Sequence, residues 1–102
     1  MIQASDFKKD IQKWAKEISV IPKEIQIRDM SKKWASCSSK GRLTFSSSLL
    51  VQPSEIRTKV IVHELLHLKY PNHGKMFKTL FSRFMGKNGI DHSFKKNISD
   101  TI

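Results

Sequence analysis

Apolar side chains recur at helical spacing in three stretches of the chain, about residues 5–19, 54–69 and 73–85. The first and third stretches each carry one apolar stripe, which predicts two helices packed on a core. The second stretch is apolar on most sides, and this pattern predicts a buried helix. The apolar residues are Phe7, Ile11, Trp14, Ala15 and Ile18 in the first stretch, Val60, Ile61, Val62, Leu65, Leu66 and Leu68 in the second, and Met76, Phe77, Leu80, Phe81 and Phe84 in the third.

Between the first two helices, short alternating segments predict strands. Residues 25–28 and 42–46 alternate apolar with polar side chains, and 34–38 precede the second of these segments. Gly41 can supply the positive φ of a turn, so 34–38 and 42–46 are predicted to form a hairpin. Residues 90–102 show little periodicity and are expected to fray.

These elements together predict a small α+β fold in a single domain spanning residues 1–102. We expect a three-stranded, mainly antiparallel sheet packed on the second helix. An N-terminal helix and a following amphipathic helix complete the core. One domain of this length has room for one modest core.

The second predicted helix carries an H-E-x-x-H motif made by His63, Glu64 and His67. On a helix, residues four positions apart lie on the same face, so both imidazoles can reach one metal ion. Glu64 is then the candidate general base for a metal-activated water. Buried histidines and a buried glutamate need partners, and a metal ion satisfies all three.

A catalytic zinc ion usually takes a third protein ligand. A later glutamate cannot serve, because the chain contains no Glu after the motif. Pro71 should break the helix, and Asn72 can cap a new one, which would place His73 in the first turn of that helix. A tight corner between the helices could return His73 to the metal. His92 and Asp91 are the alternative third ligands.

The overall charge points to a second class of partner. The chain has 19 Lys and Arg against 9 Asp and Glu, a formal net charge of +10. Such a balance is consistent with weak association with nucleic acid, although a lysine-rich soluble surface would have the same composition.

A single cysteine excludes an internal disulfide and fits a reducing, cytoplasmic setting. No apolar run approaches the roughly 20 residues needed to span a bilayer, so no membrane association is expected.

Motifs in the order found here resemble those of the YgjP-like zinc metallopeptidases, to which the SprT-like and WLM domains are related. The resemblance covers roughly residues 25–85. The residues that carry it are Trp34-Ala35-Ser36-Cys37-Ser38-Ser39-Lys40-Gly41, Leu43, Phe45, Leu49, Pro53, His63-Glu64-Leu65-Leu66-His67-Leu68, Asn72-His73 and Phe77.

This resemblance implies one zinc ion held by His63, His67 and His73, with Glu64 as the base. The chain departs from the family in having Ala35 where glycine is usual and in its short N-terminal region. SprT-like relatives process proteins on DNA, a role that the basic charge would suit by analogy.

Three further residues, of which Tyr70 lies just after the motif, have candidate roles. Tyr70 is a candidate stabiliser of the oxyanion in the transition state, although packing at the helix end is an equal explanation. Cys37 could cap the zinc as a thiolate, but a lone cysteine beside a Trp is more often a small core residue. Trp34 could line a substrate cleft, although packing in the core is the more common role.

The sequence therefore predicts a zinc metallopeptidase that hydrolyses peptide bonds in peptide or protein substrates, with no organic cofactor. Two alternatives remain. One is a non-catalytic basic module that associates with nucleic acid and uses zinc as a structural staple. The other is a SprT-like protease acting on DNA-bound proteins.

Overall fold

A computed structural model describes residues 1–87 of the chain. Three helices and three strands follow one another in an α+β arrangement, as predicted. Residues 90–102, with the fraying expected for them and the alternative ligands Asp91 and His92, lie outside the described residues. The elements are α1 (Ala4–Ile18), β1 (Glu24–Arg28), β2 (Ala35–Cys37), β3 (Arg42–Ser46), a 3-10 turn (Ser47–Val51), α2 (Ser54–His67) and α3 (Lys75–Lys87).

The three strands form a mixed sheet with the order β1-β3-β2. β2 pairs with β3 antiparallel, as the predicted hairpin requires, but β1 pairs with β3 parallel. The expectation of a mainly antiparallel sheet therefore needs correction. Alternation shows which side chains face the core, and either strand direction satisfies it. The parallel register places Ile25 beside Leu43 and Ile27 beside Phe45, so the apolar side chains of both strands share one face.

The motif helix α2 is the central element of the core. It packs against α1, α3 and β2. Its apolar side chains from Val60 to Leu66 are almost fully buried, as the sequence pattern predicted. Phe7 of α1 meets Phe45 of β3 edge to face, with ring centroids 5.5 Å apart, and this contact joins the helical layer to the sheet. In residues 1–87 no helix is long and apolar enough to cross a bilayer.

The ends of the helices differ from the sequence prediction by one to two residues. α2 ends at His67 because the chain then turns toward Pro71, which cannot continue a helix. α3 begins at Lys75, with the Lys78 amide donating to the Gly74 carbonyl at 3.1 Å. Asn72 is therefore not its N-cap, and the connection between the helices is longer than predicted.

Gly41 occupies the hairpin turn with a φ of 90°. A Cβ at this position would also lie 3.3 Å from Cγ of Lys23. We expect Gly41→Ala to lower the free energy of unfolding by about 1–3 kcal/mol, because an L side chain adopts this backbone conformation only under strain. Urea denaturation would measure the loss. Gly74→Ala is the matched control, since a Cβ there meets nothing within 4 Å. Equal stability of the two variants would contradict the prediction.

Candidate active site

The helical repeat of α2 brings two imidazoles together. His63 and His67 lie one turn apart on the same face, and their ring centroids are 4.8 Å apart. His63 is fully buried and His67 is partly buried. The pair therefore stands at the boundary between the core and the surface.

His73 returns to this pair from the connection between α2 and α3. The corner is held by the Tyr70 amide, which donates to the Leu66 carbonyl at 2.8 Å. Nε2 of His73 lies 2.9 Å from Nε2 of His67, and the His73 ring centroid is 4.9 Å from that of His63. The sequence predicts His73 in the first turn of α3, and this prediction is wrong, because α3 begins at Lys75. His73 precedes that helix, and the corner alone brings it to the pair.

The three imidazoles form a donor set that fits a metal ion. Their ligand atoms all lie within 4.8 Å of one another. A tetrahedral zinc ion with Zn–N distances of about 2.0–2.1 Å holds its nitrogens about 3.3 Å apart, so only small ring movements separate this arrangement from a coordination sphere. Three nitrogen donors from one protein surface are characteristic of catalytic zinc, which keeps a fourth position for water.

The protonation states of the three rings suit metal binding. Burial lowers the pKa of His63 from 6.5 to about 4. Burial, together with the nearby charge of His63, also lowers the pKa of both His67 and His73. The imidazoles are therefore neutral at physiological pH, and a metal need not displace protons from them.

Two neighbouring groups fix the orientation of these rings. The backbone of Tyr70 lies close enough to His67 to raise the pKa of that ring, against the larger lowering by burial. Such an outer contact fixes the tautomer and leaves the other nitrogen for a metal. The Phe77 ring packs against all three imidazoles, with centroid distances of 5.2, 4.9 and 4.9 Å to His63, His67 and His73. Sequence reasoning assigned Phe77 to the core stripe of α3 and missed this contact, although its place four residues after His73 was the available signal.

Glu64 is buried beside the imidazoles, with 1% of its surface exposed. Its Oε2 lies 3.4 Å from Nδ1 of His63. Burial raises the pKa of this carboxyl to about 7, although the charges of His67 and Lys33 oppose the rise. Because the pKa of His63 lies well below that of Glu64, their contact is between uncharged imidazole and carboxyl rather than an ion pair. A carboxyl that titrates near neutral pH can both accept and return a proton.

The raised pKa of Glu64 makes a prediction for the metal-free protein. The unfolded chain releases this proton near the ordinary pKa of 4.5, whereas the folded protein keeps it until about pH 7. The associated stability is complete below pH 4.5 and is lost as the pH rises through 7. We therefore expect the stability of metal-free Glu64→Gln, relative to the parent, to rise by about 2–3 kcal/mol from pH 5 to pH 8.

Unfolding in the presence of a chelator at pH 5, 6.5 and 8 would measure this difference. The lowered pKa of His63 costs stability in the opposite direction, as the pH falls from 6.5 toward 4. Parent and variant share that effect, so it cancels from the comparison. A difference between the two proteins that does not change with pH would contradict the raised pKa of the buried Glu64 carboxyl.

Glu64 and His67 line a cleft with a volume of about 740 Å³. Its opposite wall is β2 with the turn that follows, and its ends are formed by the segment after α1 and by the corner after α2. The lining residues are Val20, Ile21, Lys23, Lys33, Ala35, Ser36, Cys37, Ser38, Ser39, Lys40, Gly41, Glu64, His67, Leu68 and Pro71. The candidate base thus faces a space large enough for an extended peptide.

The three further residues considered from the sequence lie around this cleft. Cys37 lines it, and burial, assisted by the charge of Glu64, raises the pKa of its thiol to about 11, so it stays protonated. Trp34 is partly buried against the core, as expected. Tyr70 also packs on the core and is not part of the cleft lining in residues 1–87. Its backbone raises the pKa of His67, and the role of its hydroxyl as an oxyanion stabiliser stays a prediction.

Comparison with known proteins relates this arrangement to peptidases. The family model described as YgjP-like, metallopeptidase domain, matches residues 2–91. The crystal structure of the metallopeptidase zymogen abylysin from Pyrococcus abyssi superimposes with a TM-score of 0.58 at 25% sequence identity. The match covers 80% of this chain and 95% of that chain. A search of curated proteins found no significant match. The family match spans most of the chain, and the chain therefore belongs to the YgjP-like metallopeptidase family.

Proposed function

We propose that the protein is a zinc-dependent peptidase in which His63, His67 and His73 hold the metal and Glu64 is the general base. One observation carries the proposal. Three imidazole ligand atoms within 4.8 Å of one another stand next to a buried carboxyl that opens into a cleft. The family supports a metallopeptidase in general, and the donor set supports zinc in particular.

Each group of the chain has a distinct task in this reaction. When bound, zinc supplies a Lewis acid that lowers the pKa of water toward about 7 and polarises the scissile carbonyl. Glu64 accepts the proton of the attacking water and then returns it to the leaving amine. Its pKa of about 7 suits both transfers near neutral pH. His63 and Glu64 are almost fully buried, so solvent approaches the base from the side of the cleft.

The sheet supports a peptide as the substrate. β2 is an edge strand, and its residues Ala35, Ser36 and Cys37 form one wall of the cleft. An extended peptide can add to such an edge through main-chain hydrogen bonds. This arrangement would hold a substrate backbone across from Glu64 and His67.

A direct activity assay tests the proposal. The zinc-loaded protein should cleave an unfolded protein substrate, and the fragments should appear by mass spectrometry. A chelator should stop the cleavage, and added zinc should restore it. A zinc-loaded, folded protein that cleaves no member of a broad mixture of unfolded proteins would contradict the proposal.

The alternative of a basic nucleic-acid module rests on the net charge of +10. If the protein binds nucleic acid, the affinity should fall steeply with salt, because dispersed Lys and Arg side chains would displace counterions from phosphates. Titration of labelled single-stranded and duplex DNA at about 50 and 200 mM salt would measure this, and roughly six phosphate contacts would cost about 10³-fold in affinity. Undetectable binding at low salt would leave the charge as a feature of solubility.

A further inference from the structure

The cleft is lined by positive side chains to which the proposed reaction assigns no role. Three lysines line it, and all three are exposed: Lys23, Lys33 and Lys40. We call these three residues the lysine rim. Among the cleft-lining residues in the described part of the chain, Glu64 is the one carboxyl group. Because Glu64 is assigned to proton transfer, the side chains of a bound peptide meet positive charge alone.

The lysine rim extends along the edge strand. Lys33 precedes β2 by two positions, and Lys40 follows its end by three. At about 3.3 Å per residue the three residues of β2 span about 10 Å, so lysines beyond both ends of the strand can face at least about three substrate residues. Lys33 lines the same cleft as Glu64, and it lies just before β2, the strand that packs against the helix carrying Glu64. One end of the rim is therefore near the reacting atoms.

The other end of the rim is held in place by the hairpin turn. The Lys23 amide donates to the Gly41 carbonyl at 2.9 Å, and the Lys23 side-chain stem lies against the open face of Gly41. The neighbouring carboxylate of Glu24 does not neutralise Lys23, because it pairs with Arg42 at 2.8 Å. The ammonium of Lys23 is thus available to a ligand in the cleft.

We infer that the lysine rim makes this cleft selective for acidic peptides, those with Asp or Glu near the scissile bond and several residues from it. The inference rests on the proposed function, since it takes the cleft to be the substrate site. Exposed charges attract weakly in water, so each lysine contributes a few-fold. Three together should favour an acidic peptide over an otherwise identical basic one by about tenfold at low salt, and less as salt screens them.

The test compares cleavage and binding of peptides that differ only in charge. A digest of unfolded proteins, cleaved by the zinc-loaded parent, would show acidic residues enriched around the cleavage sites. Zinc-loaded Glu64→Gln would bind labelled acidic peptides about tenfold more tightly than basic ones, as read by fluorescence anisotropy. Exchange of the whole lysine rim for glutamate should reverse both preferences, and exchange for glutamine should abolish them.

A matched variant separates this local effect from the net charge. Lys8, Lys9 and Lys13 are exposed on α1 and lie outside the cleft, and their exchange for glutamate changes the formal charge by the same amount. This variant should keep the parent's preference for acidic peptides. Thermal unfolding would verify that every variant is folded, which the exposure of all six side chains favours.

The outcomes distinguish the inference from the proposed function. Selective binding of acidic peptides without any hydrolysis would overturn the proposed peptidase and leave the inference standing. Equal binding and cleavage of acidic and basic peptides would overturn the inference while the peptidase stands. If exchange of the lysine rim for glutamine abolishes DNA binding and leaves the peptide preference unchanged, the rim is a nucleic-acid site and the inference is overturned as well.

Discussion

Glu64→Gln should lower peptide hydrolysis by about 10²–10⁴-fold, the loss typical of removing a positioned general base. Glutamine keeps the size of the side chain and its hydrogen bonding but cannot accept the proton. Since Glu64 is not a proposed ligand, zinc content should stay near one ion per chain and the fold should be unchanged. Steady-state cleavage of one peptide, with zinc measured on the same sample, would check both parts.

Glu55→Gln provides the matched control for this variant. Glu55 is an exposed residue in the first turn of the same helix, so the chemical change is identical and the base is untouched. It should cleave like the parent. A Glu64→Gln protein that binds zinc and cleaves as fast as the Glu55→Gln protein would refute the role of the carboxyl.

Removing any one of the three imidazoles should weaken zinc binding by more than about 100-fold, because even the loss of an outer-shell partner costs about 10–100-fold. His63→Ala, His67→Ala and His73→Ala would be compared by competition with a chromophoric chelator. His73→Ala is the most informative of the three, because His73 lies outside the H-E-x-x-H motif and reaches the other two imidazoles only through the corner after α2. Circular dichroism would verify that each variant folds.

His92→Ala is the control for the third ligand. His92 lies outside the described residues and is, with Asp91, one of the two alternative third ligands predicted from the sequence. It should bind zinc like the parent. Tight zinc binding by His73→Ala, with loss in His92→Ala, would show that the third ligand was assigned wrongly.

The predictions from the sequence succeed where one local pattern determines the outcome. The i, i+4 spacing of His63 and His67 fixes their shared face on any helix, and the apolar surroundings fix the burial of Glu64. The positive φ of Gly41 follows from a turn between two alternating segments. These features depend on neighbours within a few residues, so no knowledge of the tertiary structure is needed.

Other features depend on packing between distant segments, and the sequence pattern does not contain them. The direction of β1 is set by its pairing with β3, and alternation is the same in both directions. Capping preference predicted Asn72 as the residue before the third helix. That helix instead begins at Lys75, three residues later. The contribution of Tyr70 comes from its backbone, which no side-chain pattern can indicate, and Lys33 approaches Glu64 only because β2 packs on α2.

X-ray absorption spectroscopy at the zinc edge of the zinc-loaded protein gives the most direct test of the proposed metal centre. Extended fine structure separates zinc–nitrogen and zinc–oxygen distances of about 2.0–2.1 Å from a zinc–sulfur distance of about 2.3 Å. We predict three imidazoles and one light-atom ligand from solvent, with no sulfur. A sulfur shell would place Cys37 on the metal, and that closed four-ligand site would contradict a hydrolytic centre in favour of a structural staple.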